Sequence, residues 1–176
     1  ETGGASMGIE VQAQAFAFAT NDELNDMTFY KYKITNRSTS QLNQTYFGVF
    51  VDADLGYYLD DYVGCDVKRG FGYCYNGDSD DNLPSGYGQN PPAVGIDFFE
   101  GPVADPNDGI DNDRDCLVDA ASSHCGTPHP ELIIMSRFVY YNNDFTTTGN
   151  PETASQYYNY LKGIWKDNTV MTYGGN

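Results

Sequence analysis

The chain has 176 residues, enough for about one ordinary domain, and its 40% of hydrophobic residues argues against a disordered composition. Its 25 acidic and 9 basic residues give a net charge of −16, which disfavours nucleic acid and anionic membranes as partners and favours cations. No run of about 18 apolar residues occurs, so the sequence predicts no membrane span.

Alternation of apolar and polar side chains is the main pattern of the chain, and it predicts antiparallel β-strands. In the second predicted strand this pattern places Tyr30, Tyr32 and Ile34 on the core side of the sheet. The predicted strands are residues 9–20, 27–35, 44–52 and 131–141, with two short ones near 71–75 and 94–99.

One helix is predicted near the C-terminus, with Asn150 as its N-cap and Pro151 in its first turn. Gly163 should weaken this helix slightly. Its apolar stripe consists of Tyr157, Tyr160, Leu161, Ile164 and Trp165. The stripe should pack on the sheet or on a neighbouring domain.

Together these elements predict a mainly β fold: an antiparallel β-sandwich with long loops and one C-terminal helix. Jelly-roll and immunoglobulin-like sandwiches both fit this pattern. Residues 1–8 are expected to be a flexible N-terminus or an expression scar. Residues 9–176 are expected to form a single sandwich domain, with an acidic calcium-loop insertion at about 101–130.

Four cysteines allow three disulfide pairings, and local pairing has the lowest loop-closure cost. We therefore expect the bridges Cys65–Cys74 and Cys116–Cys125, with free buried thiols as the alternative. Neither pair has the spacing typical of zinc ligands. Disulfides would indicate an oxidising compartment outside the cytoplasm.

The acidic stretch contains aspartates at every second position, a spacing that lets alternate side chains converge on one cation. The segment DNDRD places Asp111, Asp113 and Asp115 in this pattern, with the Leu117 carbonyl and the Asp119 carboxylate following. Ca²⁺ takes six to eight oxygen ligands of these kinds, so the stretch predicts a calcium site. The alternative is a solvated acidic turn.

Further acidic residues extend this prediction. Upstream of the loop, Asp105, Asn107 and Asp108 could enlarge the cage or hold a second ion. A second acidic cluster that could hold calcium consists of Asp52, Asp54, Asp60, Asp61 and Asp66. A third acidic run, residues 76–82, is predicted to be a solvated turn.

Five blocks of the sequence resemble a recurrent region of large secreted proteins of the Bacteroidota, which commonly carry a sorting domain for type IX secretion. The blocks begin with GIEVQAQAFAFATNDELNDMTFYKYKITNRS and end with NYLKGIWKDNTVMTYGGN. The acidic loop also resembles the calcium loops of thrombospondin type 3 and dockerin-like repeats. In the similar secreted proteins it reads DGIDNDGDGLVDE, and here Arg114 and Cys116 replace its two later glycines.

This resemblance implies an extracellular or cell-surface location and a longer parent protein. The sequons at Asn36 and Asn43 are compatible with that location, and could be glycosylated. No catalytic motif is apparent, and we expect no enzyme. We expect instead a calcium-binding structural or adhesive module that binds copies of itself, neighbouring domains or glycans, and could assemble into filaments or surface layers. The alternative is a carbohydrate-binding module of a secreted degradative protein.

Overall fold

The computed structural model describes residues 3–105, 107–114, 118 and 130–172. These residues form three antiparallel sheets, with strand orders β1-β2, β3-β4-β7 and β5-β6, and one α-helix. The elements are β1 (Ile9–Ala17), β2 (Thr28–Asn36), β3 (Asp61–Asp66), β4 (Phe71–Asn76), β5 (Asp80–Asp81), β6 (Gly88–Gln89), β7 (Ala93–Asp97) and α1 (Ala154–Lys162). The predicted class, mainly antiparallel strands with a C-terminal helix, is confirmed.

The first two predicted strands form β1 and β2, which pair from Ile9 opposite Asn36 to Ala17 opposite Thr28. A short 3₁₀ helix in the connection is capped by Asp22, whose carboxylate accepts a hydrogen bond from the Leu24 N–H.

The apolar face of this hairpin is not covered by the described residues. Tyr30, Tyr32 and Ile34 are 63%, 56% and 44% exposed, so the prediction that they face a core is wrong. The pairing of two neighbouring strands depends on their own register. Whether one face of the hairpin is buried depends on a different segment of the chain packing against it. The face-to-face packing that defines a sandwich therefore remains a prediction.

Two predicted strands are absent from the structure. Residues 44–52 have alternating side chains but form no ladder, and they lie against the helix instead: the Tyr158 hydroxyl donates to the Gln44 carbonyl at 2.9 Å. In residues 131–141 only Leu132 makes a β-bridge, with Val103. Alternating apolar and polar side chains favour an extended backbone. A β-strand also requires a neighbouring strand with which it can form backbone hydrogen bonds.

The three-stranded sheet contains the predicted strands near 71–75 and 94–99, as β4 and β7. Its register corrects one disulfide prediction. Cys65 lies opposite Gly72, and Cys74 lies opposite Val63, so the two cysteines form a diagonal pair. Diagonal neighbours are about 7–8 Å apart, beyond the Cα separation of about 4.4–6.8 Å that a disulfide spans. Both residues are free thiols in the structure.

The helix starts later than predicted because Thr153, not Asn150, is its N-cap. Thr153 and Gln156 form a reciprocal capping box at the N-terminus. At the C-terminus, Gly163 adopts the left-handed conformation that ends a helix, with φ of 76°. Gly163 therefore ends the helix instead of weakening its interior. Trp165, beyond that cap, packs edge-on against the buried Tyr160 ring, with centroids 5.6 Å apart.

Asp81 is fully buried and joins two loops, which contradicts the prediction of a solvated turn at residues 76–82. Its Oδ1 accepts the N–H of Tyr57 at 2.9 Å, and its Oδ2 accepts the N–H of Tyr87 at 2.7 Å. Gly56 and Gly86 approach so closely that a Cβ on either would overlap this carboxylate. Backbone donors thus replace the water that the carboxylate loses on burial.

Replacing Asp81 by asparagine should destabilise the protein by about 2–3 kcal/mol, because the amide nitrogen would face a backbone N–H that now has an acceptor. The free energy of unfolding can be measured by urea denaturation. The matched control is Asp80→Asn, since that neighbouring side chain is exposed. Equal stability of the two variants would contradict the role assigned to Asp81.

Candidate metal sites

The two ends of the acidic segment are held together by a short antiparallel contact, which we call the neck. The Ala104 N–H donates to the Glu131 carbonyl, and the Ile133 N–H donates to the Pro102 carbonyl, both at 2.9 Å. This pairing brings the start of the 131–141 segment beside the beginning of the acidic stretch. A residue distant in sequence, Glu131, thereby joins the aspartates.

Three carboxylates, one of them from the neck residue Glu131, converge in this part of the structure. One oxygen from each of Asp111, Asp113 and Glu131 lies within 4.8 Å of the others. The two aspartates are half-buried, whereas Glu131 is only 5% exposed. The sequence predicted Asp111 and Asp113 as metal ligands but missed Glu131, which lies outside the alternating pattern.

Glu131 is the least solvated member of this group. Its Oε1 accepts a hydrogen bond from the Asn112 N–H. Its Oε2 is buried, and no residue in the described ranges donates a hydrogen bond to it. A carboxylate oxygen removed from water without a donor is costly, and two neighbouring carboxylates increase that cost. A bound cation would remove both penalties.

The other residues of the acidic segment divide into two groups. Asp105 accepts the Asn107 N–H at 3.2 Å, and Asp108 accepts the Ile110 N–H at 2.9 Å, so these side chains shape turns. They are not part of the converging group. The remaining predicted residues, Asp115, Leu117 and Asp119, and the predicted Cys116–Cys125 bridge, lie outside the described residues.

Arg114 is the one basic residue in the sequence of residues 101–114. The hydrogen bonds described for it are made to backbone carbonyls and not to the three converging carboxylates. Its guanidinium donates to the carbonyls of Val67 and Met135, both at 3.4 Å. The contact with Val67 ties the acidic segment to the turn between β3 and β4.

The second predicted cluster is divided by the fold. Asp60 and Asp61 lie at the start of β3, whereas Asp66 lies at its other end, about 16 Å away along an extended strand. Asp66 accepts the N–H of Arg69 and forms an exposed ion pair with it.

Asp52 and Asp54 are exposed. Burial raises the pKa of Tyr141, and the negative charges of Tyr157 and Asp52 raise it further. None of the five predicted residues belongs to a converging group of three or more acidic side chains among the described residues, although Asp60 and Asp61 remain adjacent in the chain.

The carboxyl of Asp61 is in an unfavourable setting for its charge. Desolvation raises its pKa above the ordinary value, and the negative charges of Asp60 and Asp81 raise it further. The nearby thiols are affected in the same direction. Burial raises the pKa of Cys65 and of Cys74, and the negative charges of Asp66 and Asp61 respectively raise them further, which disfavours the thiolate forms.

An aromatic row, defined as Phe71, Tyr73, Tyr75 and Tyr62, follows the face of the three-stranded sheet opposite Asp61. Successive ring centroids are 5.9, 6.0 and 5.9 Å apart, with interplanar angles of 28–40°. Tyr62 and Tyr75 are 59% and 44% exposed. Phe71 and Tyr73 are half-buried, so Tyr62 and Tyr75 are the rings of the row that can contact flat apolar faces of ligands.

The sequon residues Asn36 and Asn43 are both exposed, so each is accessible in the structure. Asn36 ends β2, and its side chain bonds to the following turn at Ser38 and Ser40.

Comparison with known proteins found no matching family model, no matching curated protein and no matching solved structure. No helix in the described part of the chain has the length and apolar character needed to cross a membrane.

Replacing Asp61 by asparagine should make the metal-free protein more stable at pH 7. Because the pKa of Asp61 is raised in the folded state, the folded chain binds this proton more tightly than the unfolded chain does. The contribution of Asp61 to stability therefore rises as pH falls from neutral toward the ordinary value of 3.8.

Urea denaturation in chelator at pH 7 and pH 5 measures this effect. Asp61→Asn should reduce the gain in stability on acidification, whereas Asp66→Asn, at the opposite end of β3, should leave it unchanged. An unaltered pH dependence in Asp61→Asn would contradict the assignment.

Proposed function

We propose that this chain is an extracellular calcium-binding module with a structural or adhesive role in a secreted or cell-surface bacterial protein. The observation that carries the proposal is the convergence of Asp111, Asp113 and Glu131, with a buried Glu131 oxygen that has no donor among the described residues. In this proposal Ca²⁺ binds the three carboxylates and fastens the acidic segment to its neck.

The donor set favours a hard cation over a transition metal. All three groups are carboxylates, and Ca²⁺ and Mg²⁺ bind oxygen ligands, whereas zinc and copper sites use imidazole and thiolate. Ca²⁺ accepts irregular geometry and six to eight ligands, so carbonyls and water can complete its shell. Mg²⁺ requires a near-ideal octahedron, which suits an irregular loop less well.

A structural role is supported by the position of the site. The neck consists of the two backbone hydrogen bonds that make up the Val103–Leu132 β-bridge, which is little stabilisation for a long polar segment. An ion bound by residues from both sides of the neck would stabilise the folded chain in proportion to the logarithm of calcium concentration. Extracellular calcium is high enough for weak sites of this kind.

The variant Glu131→Gln tests the site. Glutamine keeps an acceptor for the Asn112 N–H but removes one of the three charges, so the variant should lose one calcium-binding event in titration calorimetry. It should also lose the part of the thermal stabilisation by millimolar Ca²⁺ that this site contributes, which is about 2.7 kcal/mol at 100 times the dissociation constant.

Glu100→Gln is the matched control, since that side chain is exposed and close in sequence. It should bind as many ions as the unaltered protein. If Glu131→Gln also retained every binding event, the proposed calcium site would be wrong.

Carbohydrate binding is a second candidate function, favoured by the aromatic row. Gly64 lies beneath the Tyr73 ring and Gly95 beneath the Phe71 ring, and a Cβ at either glycine would collide with the ring above it. The glycines thus let these rings lie down on the sheet, an arrangement suited to stacking on sugar rings.

A glycan array followed by titration with any retained glycan tests this second function. Tyr75→Ala should weaken binding about tenfold, as truncation of an aromatic anchor commonly does. Tyr58→Ala provides the control, since Tyr58 is 76% exposed but lies outside the row. Absence of any retained glycan, or an equal effect of the two variants, would exclude the row as a sugar-binding surface.

A further inference from the structure

The open end of the β3–β4 hairpin contains a concentration of oxygens without donors. Four buried side-chain oxygens in the described residues have no hydrogen-bond partner. One belongs to Glu131, and the other three are the Oδ1 atoms of Asp60, Asp61 and Asn76. Asp60 and Asp61 are consecutive, and Asn76 lies directly opposite Asp61 in the ladder, so these three residues are neighbours.

Asn76 is the most informative member because it carries no charge and is only 7% exposed. Its Nδ2 donates to the Asp78 carbonyl at 3.1 Å, which fixes the orientation of the amide. Its Oδ1 therefore points away from that carbonyl. Opposite residues in an antiparallel ladder share a face, so this oxygen lies on the same side of the sheet as the Asp61 carboxylate.

No ion pair among the described residues neutralises the charge at this place. The Asn82 amide donates to Asp60 Oδ2 at 2.8 Å, which leaves Asp60 Oδ1 unsatisfied. Asp81 adds a further negative charge, and both its oxygens are already committed to backbone N–H groups. The three ion pairs of the described residues involve Glu10, Asp66 and Glu152, all outside this group.

We propose that Asp60, Asp61 and Asn76 form a second site for a hard divalent cation, which their Oδ1 atoms bind. Two carboxylates and one amide oxygen are ligands typical of Ca²⁺, and water or carbonyls supply the rest of the shell. A water molecule could donate hydrogen bonds here, but it would not offset the charges of Asp60, Asp61 and Asp81.

This site has a structural consequence distinct from that of the acidic segment. Asp60 directly precedes β3 and Asn76 is the last residue of β4, so the chain enters and leaves the hairpin at this end. The two segments are also joined by a hydrogen bond from the Gly77 N–H to the Asp60 carbonyl at 2.7 Å. A cation held by both strands clamps this end of the hairpin beside the loop that Asp81 organises. The inference extends the proposed function to a second ion but does not depend on the Glu131 site.

Calorimetric titration of the full chain with Ca²⁺ tests the proposal. The unaltered protein should show a binding event that Asp61→Asn and Asn76→Ala each weaken by about tenfold or more, the first through loss of a ligand's negative charge and the second through loss of a ligand oxygen. Asp66→Asn, at the other end of β3, should leave that event unchanged. Thermal melting in chelator establishes that each variant is folded, and Asp61→Asn should melt at or above the temperature of the unaltered protein.

Crossing these variants with Glu131→Gln separates the two proposals. If Asp61→Asn removes one event and Glu131→Gln removes another, both sites exist. If only Asp61→Asn removes an event, the hairpin site stands and the acidic-segment site fails. If folded Asp61→Asn and Asn76→Ala bind Ca²⁺ as the unaltered protein does, the hairpin site is overturned.

Discussion

Carboxylates withdrawn from water are the constraint on which the described part of this structure depends. A buried carboxylate can keep its charge where donors or cations replace the lost hydration. Asp81 meets that requirement with protein groups, because two backbone N–H groups reach its two oxygens. Glu131 and Asp61 do not meet it in the same way, since each has a buried oxygen without a donor among the described residues. The first carboxylate is therefore a structural anchor, and the other two are the positions where we propose that a cation binds.

Both candidate sites lie where distant parts of the chain are joined. Glu131 belongs to the neck that closes the acidic segment, and Asp61 belongs to the open end of a hairpin. A cation at such a junction restrains a loop that the apolar core does not hold, so part of its binding free energy becomes folding free energy. If calcium binds at both sites as proposed, these junctions should be more stable at high than at low calcium concentration. That property suits the extracellular structural role proposed above.

The β1–β2 face and the aromatic row are exposed apolar surfaces of the described residues that differ in how they are built. The β1–β2 face presents Tyr30, Tyr32 and Ile34 with no cover from the described residues, and nothing in the structure indicates what packs on it. The aromatic row is instead supported from below by Gly64 and Gly95, which allow rings to lie against the sheet. This local geometry of the aromatic row is the observation on which the proposed carbohydrate-binding alternative is based.

Local pattern in the sequence determined β1, β2, β4, β7, the helix and the alternating pair Asp111 and Asp113, because each depends on residues close together in the chain. The tertiary structure alone decided that residues 44–52 and 131–141 form no strands, that Cys65 and Cys74 are offset in the ladder, and that Asp81 is buried. It alone also brought Glu131 to the aspartates and Asn76 to Asp61. Ladder partners, register and burial are set by contacts between segments distant in sequence, and periodicity within one segment carries no information about them.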